Sequence, residues 1–182
     1  VREGKVRVLG CSNETSWGLM KSLAESEKHG FARYHTIQNN FSLNNRRFED
    51  ELAQVCRKEG VSLIPYSPLG GGVLSGKYNL KQDAPHSRFN RYKEIGGRQQ
   101  AMRDRFLNPK TLASTERFMG IAQEAGISLT TLATAWSKQH DFVASTIVGA
   151  THVDQLPDIF AAGEITLSPE TMAAIDAVSK EI

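Results

Sequence analysis

A chain of 182 residues, 40% hydrophobic and 23% charged, has the composition of one ordinary globular domain with enough apolar material for a core. Its formal net charge of +2 comes from scattered basic residues, with doublets only at Arg46-Arg47 and Arg57-Lys58, so no nucleic-acid surface is indicated. No run approaches the ~20 apolar residues of a membrane span, no secretory leader opens the sequence, Cys11 and Cys56 lack disulfide or metal spacing, and histidines 29, 35, 86, 140 and 152 form no metal-binding pair; a cytoplasmic protein with reduced thiols, no metal, no nucleic acid and no membrane is the expectation.

In chain order, Val6-Arg7-Val8-Leu9 predicts a strand, and Trp17, Met20 and Ala24 recur at helical spacing up to a stop at Gly30. Tyr34 to Gln38 predicts the second strand. A helix with Phe48, Leu52, Val55 and Cys56 on one face follows, closed by Gly60, and Val61 to Ile64 predicts the third strand. Residues 67–110, rich in Gly, Arg, Asn and Pro, read as one long irregular segment, a candidate lid. Two helices come next, one carrying Phe118, Ile121, Ala122 and Ala125, the other capped by Ser128 with Leu129, Leu132, Ala133 and Trp136 inward. Phe142 to Val148 predicts a fourth strand, then a short helix with Val153, Leu156 and Phe160, and a last helix with Ser168 as N-cap and Pro169 at its first position.

Strand-helix alternation predicts an α/β fold with a parallel sheet. Four strands in an open sheet leave two edges, and none of these strands is short or charged as exposed edges usually are. The pattern reads as half of a closed (βα)₈ barrel, which typically needs about 250 residues. The opening Val1-Arg2-Glu3-Gly4, with no initiator Met and a strand close behind it, reads as the start of a second half.

The third predicted strand runs into Tyr66-Ser67-Pro68-Leu69-Gly70-Gly71-Gly72-Val73-Leu74-Ser75-Gly76-Lys77. Consecutive glycines let backbone N–H groups approach a ligand, while Ser67, Ser75 and Lys77 add hydroxyls and a cation, which is chemistry for a phosphorylated ligand. Gly71-x-x-x-x-Gly76-Lys77 also meets most of the P-loop pattern, but Tyr78 stands where that loop needs a Mg²⁺-binding hydroxyl, so the triphosphate reading loses its metal and ranks behind. Polar residues close every predicted strand: Ser12-Asn13, Gln38-Asn39, Tyr66-Ser67, and Gly149 with Thr151. In a barrel these ends converge on one mouth, and such amide and hydroxyl groups suit a carboxamide-bearing cofactor. Of the lid arginines, Arg88 lies soonest after Lys77. Tyr34-His35, at the start of a strand, falls at the opposite rim and is read as structural.

Gly4-Lys5-Val6-Arg7-Val8-Leu9-Gly10-Cys11-Ser12-Asn13, strand-ending Gln38, Tyr66-Ser67-Pro68-Leu69 with Ser75-Gly76-Lys77-Tyr78, and Val148-Gly149-Ala150-Thr151 with Asp154-Gln155-Leu156 together resemble the aldo-keto reductases, in the branch of the Tas-like reductases, plant relatives and potassium-channel β subunits. The resemblance runs over essentially the whole chain and implies strands 5–8 of a (βα)₈ barrel, NADP(H) bound at the carboxyl mouth, and reduction of aldehydes or ketones. It implies Ser12, Asn13 and Gln38 at the nicotinamide carboxamide and Tyr66 stacked on the ring. Ser67, Pro68, Leu69, Gly71 and Lys77 would run along the pyrophosphate with Arg88 nearby, and Gly149, Thr151, Gln155 and Asp158 would lie at the adenosine end. The sequence departs from the family there: Ile159 stands where relatives often carry Asn, and Pro157 is read as lying inside the short helix, at the loss of a backbone hydrogen bond.

The resemblance assigns the catalytic Asp, Tyr, Lys and His to strands before those present, hence none to this chain. The expected partners are a small carbonyl substrate and the missing N-terminal half of the barrel, with a homo-oligomer as a further option. A truncated NADP-binding regulatory or subunit-interaction module without catalysis is the alternative.

Overall fold

The computed structural model describes residues 1–82 and 87–180; residues 83–86 of the lid, His86 among them, lie outside the described residues. Three parallel strands, β1 (Leu9–Ser12), β2 (Tyr34–Gln38) and β3 (Ser62–Leu63), stand in the order β1-β2-β3. They are connected through helices α1 (Ser16–His29) and α2 (Leu52–Glu59), as parallel neighbours require. Thr15 caps α1 by accepting from the Gly18 N–H at 3.1 Å, and Gly30 and Gly60 end α1 and α2 in left-handed C-caps.

β1 begins three residues later than its sequence predicts, because its partner β2 starts only at Tyr34, opposite Leu9. Between Leu9 and Gly10 the register shifts. A Cβ on Gly10 would meet Thr36 Oγ1 at 2.3 Å and the Thr36 carbonyl at 2.9 Å, so only glycine admits this approach of the two strands.

The predicted fourth strand is present as an extended segment beside β3 with a single parallel bridge, Leu63 to Val143. The Leu63 N–H donates to Phe142 O at 2.7 Å, Ala144 N to Leu63 O at 2.9 Å, and Ile147 N to Pro65 O at 2.9 Å. The pairing is thus where the alternation puts it but too irregular for a regular ladder.

The lid is not irregular throughout: it contains α3 (Arg88–Ile95) and α4 (Gly97–Phe106). Phe89 is the buried residue of α3 and α4 has none, so neither carries the apolar stripe by which a helix is recognised in sequence. α5 (Pro109–Glu124) opens on a capping box between Asn108 and Thr111, and α6 (Leu129–Lys138) is capped by Ser128. After a 3₁₀ turn come α7 (Leu156–Glu164) and α8 (Pro169–Lys180), where Ser168 Oγ accepts from the Thr171 N–H at 3.2 Å.

The core gathers Leu19 and Leu23 of α1, Ile37, Phe41, Leu63, Phe118, Leu132, Trp136 and Ile175. Trp136 stacks on Phe41 with ring centroids 4.7 Å apart, and His140 packs edge-on to both. One face of the sheet is covered by these helices. On β1, Gly10 and Ser12 remain exposed where the opposite face is open, although parallel sheets are ordinarily covered on both sides.

Two helical faces differ from their sequence reading. On α1 the buried side is Leu19 and Leu23, while Trp17 is 75% exposed and Met20 and Ala24 are exposed too. On α7 the buried side is Ile159 and Ala162, while Phe160 is 66% exposed and Val153, just ahead, is also exposed. Each helix has two apolar sides, and periodicity does not say which one the described chain covers. Val8, just ahead of β1, and Ile147 and Val148, past the extended segment beside β3, are exposed as well.

Candidate active site

The ends of β1, β2 and β3 hold four of the predicted site residues in one hydrogen-bonded chain. The Tyr66 hydroxyl donates to Asn13 Oδ1 at 2.7 Å, Asn13 Nδ2 donates to Ser12 Oγ at 3.1 Å, and Ser12 Oγ donates to the Gln38 carbonyl at 3.1 Å. The main chain reinforces it: Asn13 N donates to Gln38 O at 2.9 Å, and Tyr66 N to Asn39 O at 3.1 Å. Asn39 Nδ2 in turn donates to the Glu14 carbonyl at 3.2 Å, so it ties the β2 end to the turn entering α1, a role its place beside Gln38 only hinted at.

Directly after β1, Asn13 has φ +56°, and after the Tyr66 position Ser67 has the same value. L-residues rarely occupy this left-handed region, and Asn tolerates it best because its short polar side chain bonds locally. The two turns aim the strand-end side chains outward: Ser12, Asn13 and Gln38 are exposed and Tyr66 is half-buried. A surface of amide, hydroxyl and phenol at the carboxyl ends of parallel strands can hydrogen-bond a carboxamide and stack an aromatic ring.

The glycine-rich loop is less open than its sequence suggests. Gly70 N donates to Ser67 O at 2.9 Å and Gly72 N to Leu69 O at 2.8 Å, so these two N–H groups serve a tight 3₁₀ coil over Gly70–Ser75. Pro68 is buried under this turn and Leu69 packs on the core. Gly71 lies beneath the Phe89 ring, and Lys77 places its ammonium 3.2 Å from where a Cβ on Gly72 would be. A side chain at Gly72 would crowd that ammonium. Arg88 opens α3 as an exposed residue.

The remaining predicted residues follow the extended segment beside β3, and of these Thr151 and Gln155 are brought together. Gly149 has open space around it, and the Thr151 N–H donates to Gln155 Oε1 at 2.9 Å. Asp158 sits in the first turn of α7, its carbonyl accepting from Thr131 Oγ1 at 2.9 Å while its side chain is exposed. Pro157 stands at the start of α7, where no intrahelical N–H is needed, so the lost bond and bend expected from sequence do not arise. Ile159, in the position where Asn was the family pattern, faces inward and is buried.

Burial raises the Cys11 thiol, and burial pushes Cys56 up to about 11. Among the described residues no three His, Cys, Asp or Glu side chains gather as a metal site, and no helix is long and apolar enough to cross a membrane.

A parallel α/β fold of this pattern, with polar groups presented at its strand ends, is that of a partial (βα)₈ barrel. The chain belongs to the aldo/keto reductase family, whose model matches residues 1–180. It is 38% identical over 180 residues to the protein tas of Escherichia coli, a match covering 97% of this chain and 49% of that one. It is 33% identical over 176 residues to the uncharacterized oxidoreductase YrpG of Bacillus subtilis, covering 97% and 50%. A probable voltage-gated potassium channel subunit beta of rice is 34% identical over 139 residues, covering 74% and 40%. The chain thus spans about half the length of the first two relatives, and its match covers 40% of the third.

Proposed function

We propose that this chain is the cofactor-binding, C-terminal half of an NADPH-dependent reductase of aldehydes or ketones, completed by a further set of strand-helix units. The observation that carries the reading is the Tyr66–Asn13–Ser12–Gln38 chain of hydrogen bonds, which presents amide and hydroxyl groups together on the open side of the strand ends. Ser12, Asn13 and Gln38 hold the carboxamide of a nicotinamide, and Tyr66 supports its ring. Lys77, with Arg88 from α3, meets the pyrophosphate; Thr151 and Gln155, already bonded to each other, receive the adenosine end with Gly149 and Asp158. Bound there, the dinucleotide supplies hydride to a carbonyl carbon. The chain's own residues would hold and orient it. The proton donor comes from the completing units, a role that typically contributes about 10²–10⁴-fold.

Completion of the barrel draws support from the large apolar side chains left exposed, Trp17 on α1, Phe160 on α7 and Val8 ahead of the edge strand β1, which further units would cover. A non-catalytic regulatory module is the second reading, favoured by the likeness to a potassium channel subunit beta. The test is a full-length protein carrying this chain, titrated with NADPH and NADH by fluorescence and assayed for NADPH oxidation on a panel of small aldehydes. Tighter binding of NADPH with turnover supports the reductase, binding without turnover the module, and no binding of either nucleotide refutes both.

A further inference from the structure

Gly71 has φ +69°, and a Cβ on it would lie 2.5 Å from Phe89 Cζ and 3.1 Å from Phe89 Cε2. The Phe89 ring therefore fills the space a side chain at position 71 would take. It is 1% exposed yet lies outside the main core cluster, in a satellite of rings: Tyr78 at 5.7 Å, Tyr92 at 6.0 Å and Phe106 at 6.0 Å between centroids. Phe106 ends α4 and Tyr92 belongs to α3, so these rings fasten the two lid helices to the loop over Gly70–Ser75.

The ring is linked to both candidate phosphate cations, to Lys77 through Tyr78 and to Arg88 along the chain. Tyr78, packed against Phe89, carries the Lys77 ammonium 5.2 Å from its own ring centroid, and that ammonium rests against Gly72. Arg88 is the residue before Phe89 at the start of α3, exposed while its neighbour is buried, so the seating of the ring fixes where that helix start sits.

We infer that Phe89 is a positioning residue for the phosphates of the bound dinucleotide: seated on Gly71, it holds the glycine-rich loop, Lys77 and Arg88 in one arrangement. The inference rests on the cofactor reading above and adds a residue that touches no ligand. In the full-length protein, Phe89→Ala weakens NADPH binding by about ten- to a hundredfold, the range for loosening one charge-assisted contact, and makes the affinity less dependent on salt. Phe89→Leu recovers part of it. Gly71→Ala weakens binding as well, and because leucine lacks the Cζ that the new methyl meets, the double variant Gly71→Ala/Phe89→Leu binds more tightly than the product of the single losses.

Amide hydrogen exchange without ligand gives the second readout. In Phe89→Ala, residues 70–77 exchange about tenfold or more faster while the amides of α6 keep their wild-type rates. Unchanged affinity in Phe89→Ala, in a wild type that binds NADPH, overturns the inference alone. Equal acceleration in α6 also overturns it, since Phe89 would then serve global stability. A wild type that binds no nicotinamide dinucleotide refutes the cofactor reading itself and the role of Phe89 with it, whatever the exchange rates are.

Discussion

Asn13 combines a strained backbone with a central place in the strand-end hydrogen bonds, and two substitutions separate these contributions. Its φ of +56° costs an ordinary L-residue about 1–2 kcal/mol, a penalty that Asn partly avoids and Gly escapes. Its side chain accepts from the Tyr66 hydroxyl at 2.7 Å and donates to Ser12 Oγ at 3.1 Å. Two such bonds are worth about 0.5–1.5 kcal/mol each, with the lower end expected because the cluster is exposed. Asn13→Ala removes both bonds and keeps the strain; Asn13→Gly removes both bonds and lifts it. In urea unfolding of the full-length protein, Asn13→Ala is expected to be less stable than Asn13→Gly by about 1 kcal/mol. In NADPH titrations both are expected to lose affinity alike, by about fivefold or more, because both lack the amide. Equal stabilities would refute the backbone argument. Wild-type affinity in Asn13→Gly beside a weak Asn13→Ala would show that only the turn matters and refute the role of the amide.

Three further outcomes follow from the packing. Burial, the largest cause, holds the His140 imidazole below its ordinary 6.5, against the smaller upward pull of Glu49, Asp141 and Asp176 and with Arg46 adding to the depression. The unfolded chain therefore takes up this proton first, and stability falls as pH drops below 6.5 until the folded imidazole also protonates; Phe in place of His140 should flatten that limb in unfolding measurements at stepped pH, and an unaltered slope would contradict it. Cys56, with its thiol raised to about 11, should resist iodoacetamide at neutral pH in the folded protein and react in urea, whereas rapid native labelling would mean its helix is not packed as described. The purified 182-residue chain should associate in light scattering and leave NADPH unoxidised with small aldehydes, and Trp17→Lys with Phe160→Lys should reduce the association; a monomer with turnover contradicts the half-barrel account.

Local signals in the sequence were reliable where the physics is local. Tyr34 to Gln38 is β2 as its pattern predicts, Ser128 and Ser168 cap their helices, and Gly30 and Gly60 stop theirs. The strand-end residues Ser12, Asn13, Gln38 and Tyr66 were legible through alternation plus resemblance, because parallel strands bring their carboxyl ends together whatever lies between. What escaped depends on neighbours distant in sequence. The outward turn of Trp17 and Phe160 reflects which side of each helix meets the described core. The lid helices lack an apolar stripe, and the contact of Phe89 with Gly71 joins residues across a segment whose sequence carries no sign of their pairing. The sequence reads the glycine run as open to a ligand, yet two of its N–H groups close on the carbonyls of Ser67 and Leu69 just before it, and a third glycine makes room for a ring.

The most direct test of the central claim is a crystal structure of the full-length protein with NADP⁺. The account predicts a nicotinamide whose carboxamide lies within hydrogen-bonding distance of Ser12, Asn13 and Gln38, with its ring against Tyr66 and its pyrophosphate beside Lys77. Dinucleotide bound elsewhere, with the Tyr66–Asn13–Ser12–Gln38 chain facing only solvent, would contradict it.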